Sequence, residues 1–162
     1  MSRPDLSAEL VALLPRLRRF ARALTRNPHD ADDLVQLALE RALARADQLR
    51  PDAAAAGWLF GILRNAWLDE LRARSRRAQI FAPEEAGQNV GDLAAATQAD
   101  LLSVQDAMAR LPDEQRLAVA LVLVEGLSYK EAAHVMEVPI GTLTSRLARG
   151  REALQAMLGE QS

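Results

Sequence analysis

Cysteine is absent from the 162 residues, which removes a disulfide scaffold, a thiol catalyst and every cysteine-ligated metal site together. Histidine is scarce: His29 and His134 stand far apart and in no metal-binding spacing, so neither a structural zinc nor any other cofactor is expected. Lysine is scarcer still, with Lys130 alone against 19 arginines. Arginine suits planar, bidentate contact with phosphate and base edges, but alanine-rich chains of biased composition also carry it in number, so position has to decide. The longest run without a charged residue, Ala53 to Leu63, covers 11 residues against the roughly 20 that a membrane-spanning helix needs. No membrane insertion is expected, and the lack of an apolar leader at the first residues gives a cytoplasmic location as the expectation. Net positive charge is lacking too, the total being −2. Its distribution is uneven: +4 over 1–77, −4 over 78–105 and −2 over 106–162, an early sign of separate bodies.

What is present reads as helix throughout. Alanine, leucine, arginine and glutamate dominate, and no strand-like alternation survives inspection. A first helix is expected over 6–25, with Leu10, Leu13, Leu14, Leu17, Phe20, Ala21 and Leu24 on one side, ended by Asn27-Pro28. A second is expected at about 30–47, and a third at about 54–76 with Leu59, Ile62, Leu63, Ala66 and Trp67. Between Gln79 and Ala99 the chain has no basic residue and gains Pro83, Gly87 and Gly91. A stretch of that length predicts a flexible acidic linker between two small helical domains. The second set of helices is expected at about 100–110, 113–125, 128–136 and 140–157. The fold class is therefore all-α, with domains at 6–77 and 100–158 and the linker at 78–99.

Residues 126–154 carry the most specific local pattern. Gly126 closes one helix, and Ser128 caps the next with Glu131 in capping-box spacing. A turn at Val138-Pro139 then leads into a helix whose buried stripe is expected to be Ile140, Leu143, Leu147 and Leu154. This is the pattern of a helix-turn-helix. On a wheel with Leu143 at zero, Ala148, Ser145 and Arg149 fall at about 140°, 200° and 240°, so Thr144, Ser145, Ala148 and Arg149 face outward. A small, mostly neutral tip with one long arginine fits a major groove, while Lys130, Arg146 and Arg151 lie to the sides, nearer phosphates. The bland alternative is the outer face of a packed helical hairpin.

In the third helix, Asn65, Asp69, Arg72 and Arg76 form a polar stripe opposite the apolar face, and Arg72, Arg74, Arg76 and Arg77 crowd four cations into six residues. Trp58, Phe60 and Trp67 are platforms for bases or core residues; in so small a domain Phe60 and Trp67 read as core, with Trp58 open between the two. In the second helix Asp33, Gln36 and Glu40 share one face with Leu37 at its edge, a mixture suited to binding protein or simply to a solvated side.

Taken together, ADDLVQLALERALAR (31–45), AGWLFGILRNAWLDELRARSRR (56–77) and LPDEQRLAVALVLVEGLSYKEAAHVMEVPIGTLTSRLARGREAL (111–154) resemble the extracytoplasmic-function sigma factors, the smallest group of the sigma-70 class of bacterial RNA polymerase. The resemblance implies that residues 10–77 dock on the clamp helices of the polymerase largest subunit through Asp33, Gln36, Leu37 and Glu40. It implies that Arg50 to Ala56 with Trp58 frame a pocket for an extruded base of the −10 element, with Asn65, Asp69, Arg72 and Arg76 along the strand. Residues 106–156 would bind the −35 element as duplex through Lys130, Thr142, Thr144, Ser145, Arg146, Ala148, Arg149 and Arg151, near the polymerase flap region. Core polymerase, promoter DNA and an anti-sigma factor are the implied partners, and a response to stress or an extracytoplasmic signal the implied setting. Three positions depart from the family pattern: Leu37 where an acid is common, Thr144 where a base is frequent, and Glu137 where a helix-turn-helix favours glycine at positive φ.

Other classes fit less well. A response regulator or other helix-turn-helix regulator predicts neither the segment from Trp58 to Arg72 nor a first 100 residues without strand and helix alternation. A sigma-mimicking antagonist that binds only protein would leave the reading face unused. An enzyme lacks support: Asp33, Glu40, Asp69 and Glu70 have no nucleophile, phosphate loop or metal set beside them.

Overall fold

The computed structural model describes residues 6–50, 52–80 and 103–159, and every regular element among them is helical. Helix α1 is Leu6–Leu24, α2 Pro28–Ala44, α3 Ala55–Ile80, α4 Val104–Arg110, α5 Asp113–Val119, α6 Tyr129–Met136 and α7 Ile140–Gly159. A 3-10 turn at Ala46–Gln48 follows α2, and a π turn at Ala120–Val124 extends α5. The acidic linker expected over 78–99 starts later than its composition suggested, because α3 continues to Ile80; from residue 81 it lies outside the described residues.

Local chemistry sets the helix ends. Asn27 does more than stop α1: its side-chain oxygen accepts from the Asp30 backbone N–H at 2.7 Å, making it the N-cap of α2 with Pro28 in the first turn. Ser103 caps α4 in the same way, accepting from the Asp106 backbone N–H at 3.0 Å. Pro15 lies inside α1, where it removes one backbone donor; the neighbouring Val11 is 67 % exposed, so water reaches the carbonyl left without a partner. The helix expected over 113–125 does not stay regular. It widens into the π turn, with the Glu125 N–H donating to the Ala120 carbonyl at 2.9 Å, and ends at Gly126 with φ +74°.

The first three helices pack through Leu10, Leu17, Phe20 and Leu24 of α1, Leu34, Val35 and Ala38 of α2, and Leu59, Phe60, Leu63 and Trp67 of α3, all buried. Phe20 and Phe60 meet edge to face with centroids 5.1 Å apart. Phe60 and Trp67 are thus core residues, as expected, and Leu37 is half-buried against the same core. In the second half Leu117, Leu121, Met136, Leu143 and Leu147 are fully buried. The expected stripe of α7 needs correction at its start. Ile140 is 53 % exposed because it sits in the first turn, past the edge of the α5–α6 layer, and lines a cleft instead; Leu154 is half-buried. Helices α5 and α7 cross closely at Gly150, where a Cβ would stand 2.7 Å from the Val119 Cγ2. The halves also touch: α1 packs on the π turn and α4, and α3 on α6, so the buried residues of both form one continuous core.

Candidate nucleic-acid interface

Helix α2 offers Asp33, Gln36 and Glu40 to solvent. The Gln36 amide donates to the Glu40 carboxylate at 3.4 Å and Asp33 lies 3.8 Å from His29, so the face is acidic, polar and ordered by its own neighbours. Leu43, 58 % exposed, continues it by one turn. Leu37 forms its half-buried edge.

The polar stripe of α3 is exposed as predicted at Asn65, Asp69, Arg72 and Arg76, while Trp58 is half-buried. Trp58 shares the wall of a 1060 Å³ cleft with Arg45, Gln48, Arg50 and Asn65. Asn65 accepts from Arg64 at 3.0 Å; Asp69 accepts from Arg41 at 3.1 Å and lies 3.5 Å from Arg72. The four clustered cations are not equivalent. Arg74 and Arg77 both reach Glu70, and Arg74 also reaches Asp30 at 3.2 Å. Burial works to lower the Arg74 pKa, yet the hydrogen bonds to Asp30 and Glu70 raise it above the ordinary arginine value. Arg72 and Arg76 stand outside these contacts with Glu70 and Asp30, Arg72 lying beside Asp69 instead.

Helices α6 and α7 form the helix-turn-helix. The Ser128 hydroxyl accepts from the Glu131 N–H at 3.1 Å, and the Glu131 carboxylate accepts from the Ser128 N–H at 2.9 Å, completing the capping box. Hydrogen bonds from the Ser128 backbone and hydroxyl hold the Glu131 carboxyl below the usual range. Glu137 occupies the turn at φ +58°, accepting the left-handed conformation that glycine would adopt without cost. Beyond it Thr144, Ser145, Ala148 and Arg149 all face solvent, with Leu143 and Leu147 buried beneath. The Thr144 hydroxyl donates to the Ile140 carbonyl at 2.8 Å, which commits its proton to the helix. Arg146, half-buried, is held at 2.7 Å by Glu114 and acts as a brace between α5 and α7. Lys130, Arg149 and Arg151 are exposed and carry no ion pair among the described residues, and Thr142 is half-buried.

Sequence reasoning missed a set of charged contacts across the two halves. The Glu125 side chain is wholly buried, yet bound by Arg19 through two 2.9 Å hydrogen bonds and approached by Arg16 at 3.5 Å. Arg116 donates to the carbonyls of Leu24, Ala109 and Leu111 and lies over the Trp67 ring at 5.6 Å. Burial lowers its pKa from the ordinary arginine value, against the pull of Asp113. Arg64 reaches Glu137 at 3.4 Å. A signal for Glu125 existed: it stands four and eight residues after Leu121 and Leu117, on their buried stripe, where a carboxylate requires cations.

Among the described residues no helix is long and apolar enough to cross a membrane, and no three ligating side chains gather to hold a metal. Residues 10–77 match the family Sigma-70 region 2, and residues 101–154 match Sigma-70, region 4. The chain is 36 % identical to the ECF RNA polymerase sigma factor EcfG of Rhodopseudomonas palustris over 95 % of its length and 85 % of the relative's. It is 41 % identical to the ECF RNA polymerase sigma factor SigM of Mycobacterium tuberculosis, over 88 % of this chain and 71 % of that one. Its fold resembles that of the sigma factor RpoE in complex with the anti-sigma factor NepR from Bartonella quintana, with a TM-score of 0.77 and 30 % identity, covering 98 % of this chain and 99 % of that one.

Proposed function

Since the chain belongs to the extracytoplasmic-function sigma factors and directs RNA polymerase to promoters to initiate transcription, we propose a division of that work among its surfaces. The acidic face of α2, with Asp33, Gln36, Glu40 and the edge of Leu37, docks on the clamp helices of the polymerase. Trp58 and the stripe Asn65, Asp69, Arg72 and Arg76 take the opened −10 strand, the tryptophan forming one wall of the base pocket. The helix-turn-helix takes the −35 duplex: Ser145, Ala148 and Arg149 meet base edges, and Lys130 and Arg151 meet phosphates. Arg146 contributes by fixing α7 on α5. The protein works by binding and positioning, in the cytoplasm with the polymerase, and carries out no bond chemistry of its own. An anti-sigma factor that silences it is the further partner, in keeping with the complex in which the similar RpoE was crystallised.

One observation supports this division above the others: the exposed, small-residue face of α7 sits on a fully capped helix-turn-helix, and an exposed polar stripe runs along α3 in the other half. The test is open-complex formation with core polymerase on a promoter library randomised at both elements. Selection at two elements, lost at the upstream one on Arg149→Ala and at the downstream one on Trp58→Ala, is the expected result. A chain that binds polymerase but selects no upstream sequence would refute the assignment.

A further inference from the structure

The outward side of α7 divides into two rows. Gly141, Ser145 and Arg149 follow one another at four-residue spacing, and Ile140, Thr144 and Ala148 follow beside them. All six are exposed. The first row ends in a guanidinium. The second carries no charge, and its capacity for hydrogen bonds is already reduced: the Thr144 hydroxyl donates to the Ile140 carbonyl at 2.8 Å, which turns it back along its own helix. What Thr144 retains for a partner is its methyl and an acceptor oxygen. Ala148 offers a methyl alone, and Ile140, 53 % exposed, begins the row with a larger apolar group.

The packing of the chain does not ask for small residues along this front. A Cβ at Gly141 would meet nothing within 4 Å, in contrast to the crowded Gly150. Glycine and threonine are also weaker helix formers than alanine. Smallness here serves an approach from outside, and methyl groups need a close one, since dispersion weakens sharply with a gap of about 1 Å. In the major groove the apolar group that distinguishes one base pair from another is the C5-methyl of thymine, against which alanine and the threonine methyl both pack. Thr144 and Ala148 are separated by about 6 Å along the helix axis. Base pairs follow one another at about 3.4 Å, so the two methyls span about two base-pair steps.

We propose that Thr144 and Ala148 are specificity-determining residues that read the C5-methyl groups of thymines in the −35 element, in pairs next to the one met by Arg149. The proposal rests on the assignment of the helix-turn-helix to that element and adds what its uncharged row selects. The competing reading has the Thr144 oxygen accept from the exocyclic amine of adenine or cytosine.

The test uses holoenzyme formed from the full chain and core polymerase, on the promoter that the randomised library selects. Each thymine of the upstream element is replaced singly by deoxyuridine, which keeps the hydrogen bonds of the pair and removes only the methyl. Binding is compared for the parent, Thr144→Val, Thr144→Ser and Ala148→Gly, with far-UV circular dichroism to verify unchanged helix content. At one thymine the replacement is expected to weaken the parent and Thr144→Val about fourfold, the effect of one buried methyl, and to leave Thr144→Ser unaffected. At a second thymine Ala148→Gly is expected to lose the same response. Parental binding to every deoxyuridine promoter, or an upstream element with no thymine beside the pair relaxed by Arg149→Ala, would overturn the methyl reading and leave the −35 assignment standing. A preference kept by Thr144→Ser and lost by Thr144→Val would overturn it in favour of the acceptor oxygen. Absence of any upstream selection by the parent would overturn the functional reading, and this proposal with it.

Discussion

Gly150 lies in the middle of α7, where helix propensity alone favours replacing it with alanine by about 1 kcal/mol. Its surroundings argue the other way. A Cβ at this position would stand 2.7 Å from the Val119 Cγ2 and 3.3 Å from the Gln115 carbonyl oxygen. Val119 is 2 % exposed, so its side chain would have to move within the packed interior, and the carbonyl belongs to α5 itself. Forcing one methyl into a packed crossing costs about 1–3 kcal/mol, so Gly150→Ala should be destabilising by about 1 kcal/mol net. That corresponds to a fall in Tm of about 3 °C for a chain of this size. The consequence reaches function, because α7 is the helix proposed to read the −35 element: pushed off α5, it should lose −35 discrimination although none of the residues assigned to reading has changed. The assay is urea unfolding followed by circular dichroism for Gly150→Ala, Val119→Ala and the double variant. In the Val119→Ala background the alanine at 150 should become neutral or stabilising, a coupling of about 1–2 kcal/mol. A Gly150→Ala protein that gains about 1 kcal/mol in both backgrounds would refute the close crossing as the reason for glycine here.

Arg149→Ala should lose about 1–3 kcal/mol of discrimination at one base pair of the −35 element, whereas Lys130→Ala should weaken all promoters equally and reduce the salt slope of binding by about one unit; polymerase binding to substituted promoters at several salt concentrations separates the two. Arg116→Met should cost about 2–4 kcal/mol in urea unfolding, since three backbone carbonyls lose a charged donor at once. For Glu131 the folded carboxyl lies below its ordinary value, so the capping box contributes stability above about pH 4.3 and loses it as pH falls through the depressed value. The gap in urea midpoint between the parent and Glu131→Gln should therefore be full at neutral pH and close toward pH 2; a gap independent of pH would refute the charged form of the cap.

Local rules recovered much of this molecule. The Ser128–Glu131 box, the Gly126 terminator and the buried pair Leu143 and Leu147 all follow from chemistry within one or two helical turns, whereas for Glu137 the sequence left open whether it would accept the left-handed turn or change it. Trp67 was legible as core because a small bundle has few other places for a large ring. Ile140 was misread for a related reason: its spacing to Leu143 is helical, but periodicity does not say where the layer beneath a helix ends. Pro15 shows the converse, a residue that normally interrupts helices tolerated because its side of α1 faces water. The seam was least legible. Arg19 and Glu125 are 106 residues apart in sequence, and Arg16 and Arg19 have the spacing of any solvated helix face. Only Glu125 carried a hint, as a charge on an apolar stripe, and a stripe alone cannot name its partner.

The arginines divide by environment, and that division resolves what their number could not. Arg16, Arg19, Arg64, Arg74, Arg116 and Arg146 are engaged by carboxylates or backbone carbonyls. Lysine would serve poorly in several of these places, because two parallel donors from Arg19 and a planar group over Trp67 both need a guanidinium. Arg149 and Arg151 of α7, with Arg76 of α3, remain unpaired among the described residues and exposed on the surfaces assigned to promoter DNA. The cations left for nucleic acid are thus few and separated, in a chain whose total charge is −2. Such a chain lacks the broad positive field that holds a protein on duplex without regard to sequence. Selectivity then depends on bringing the two small surfaces proposed to read the promoter to their two sites together.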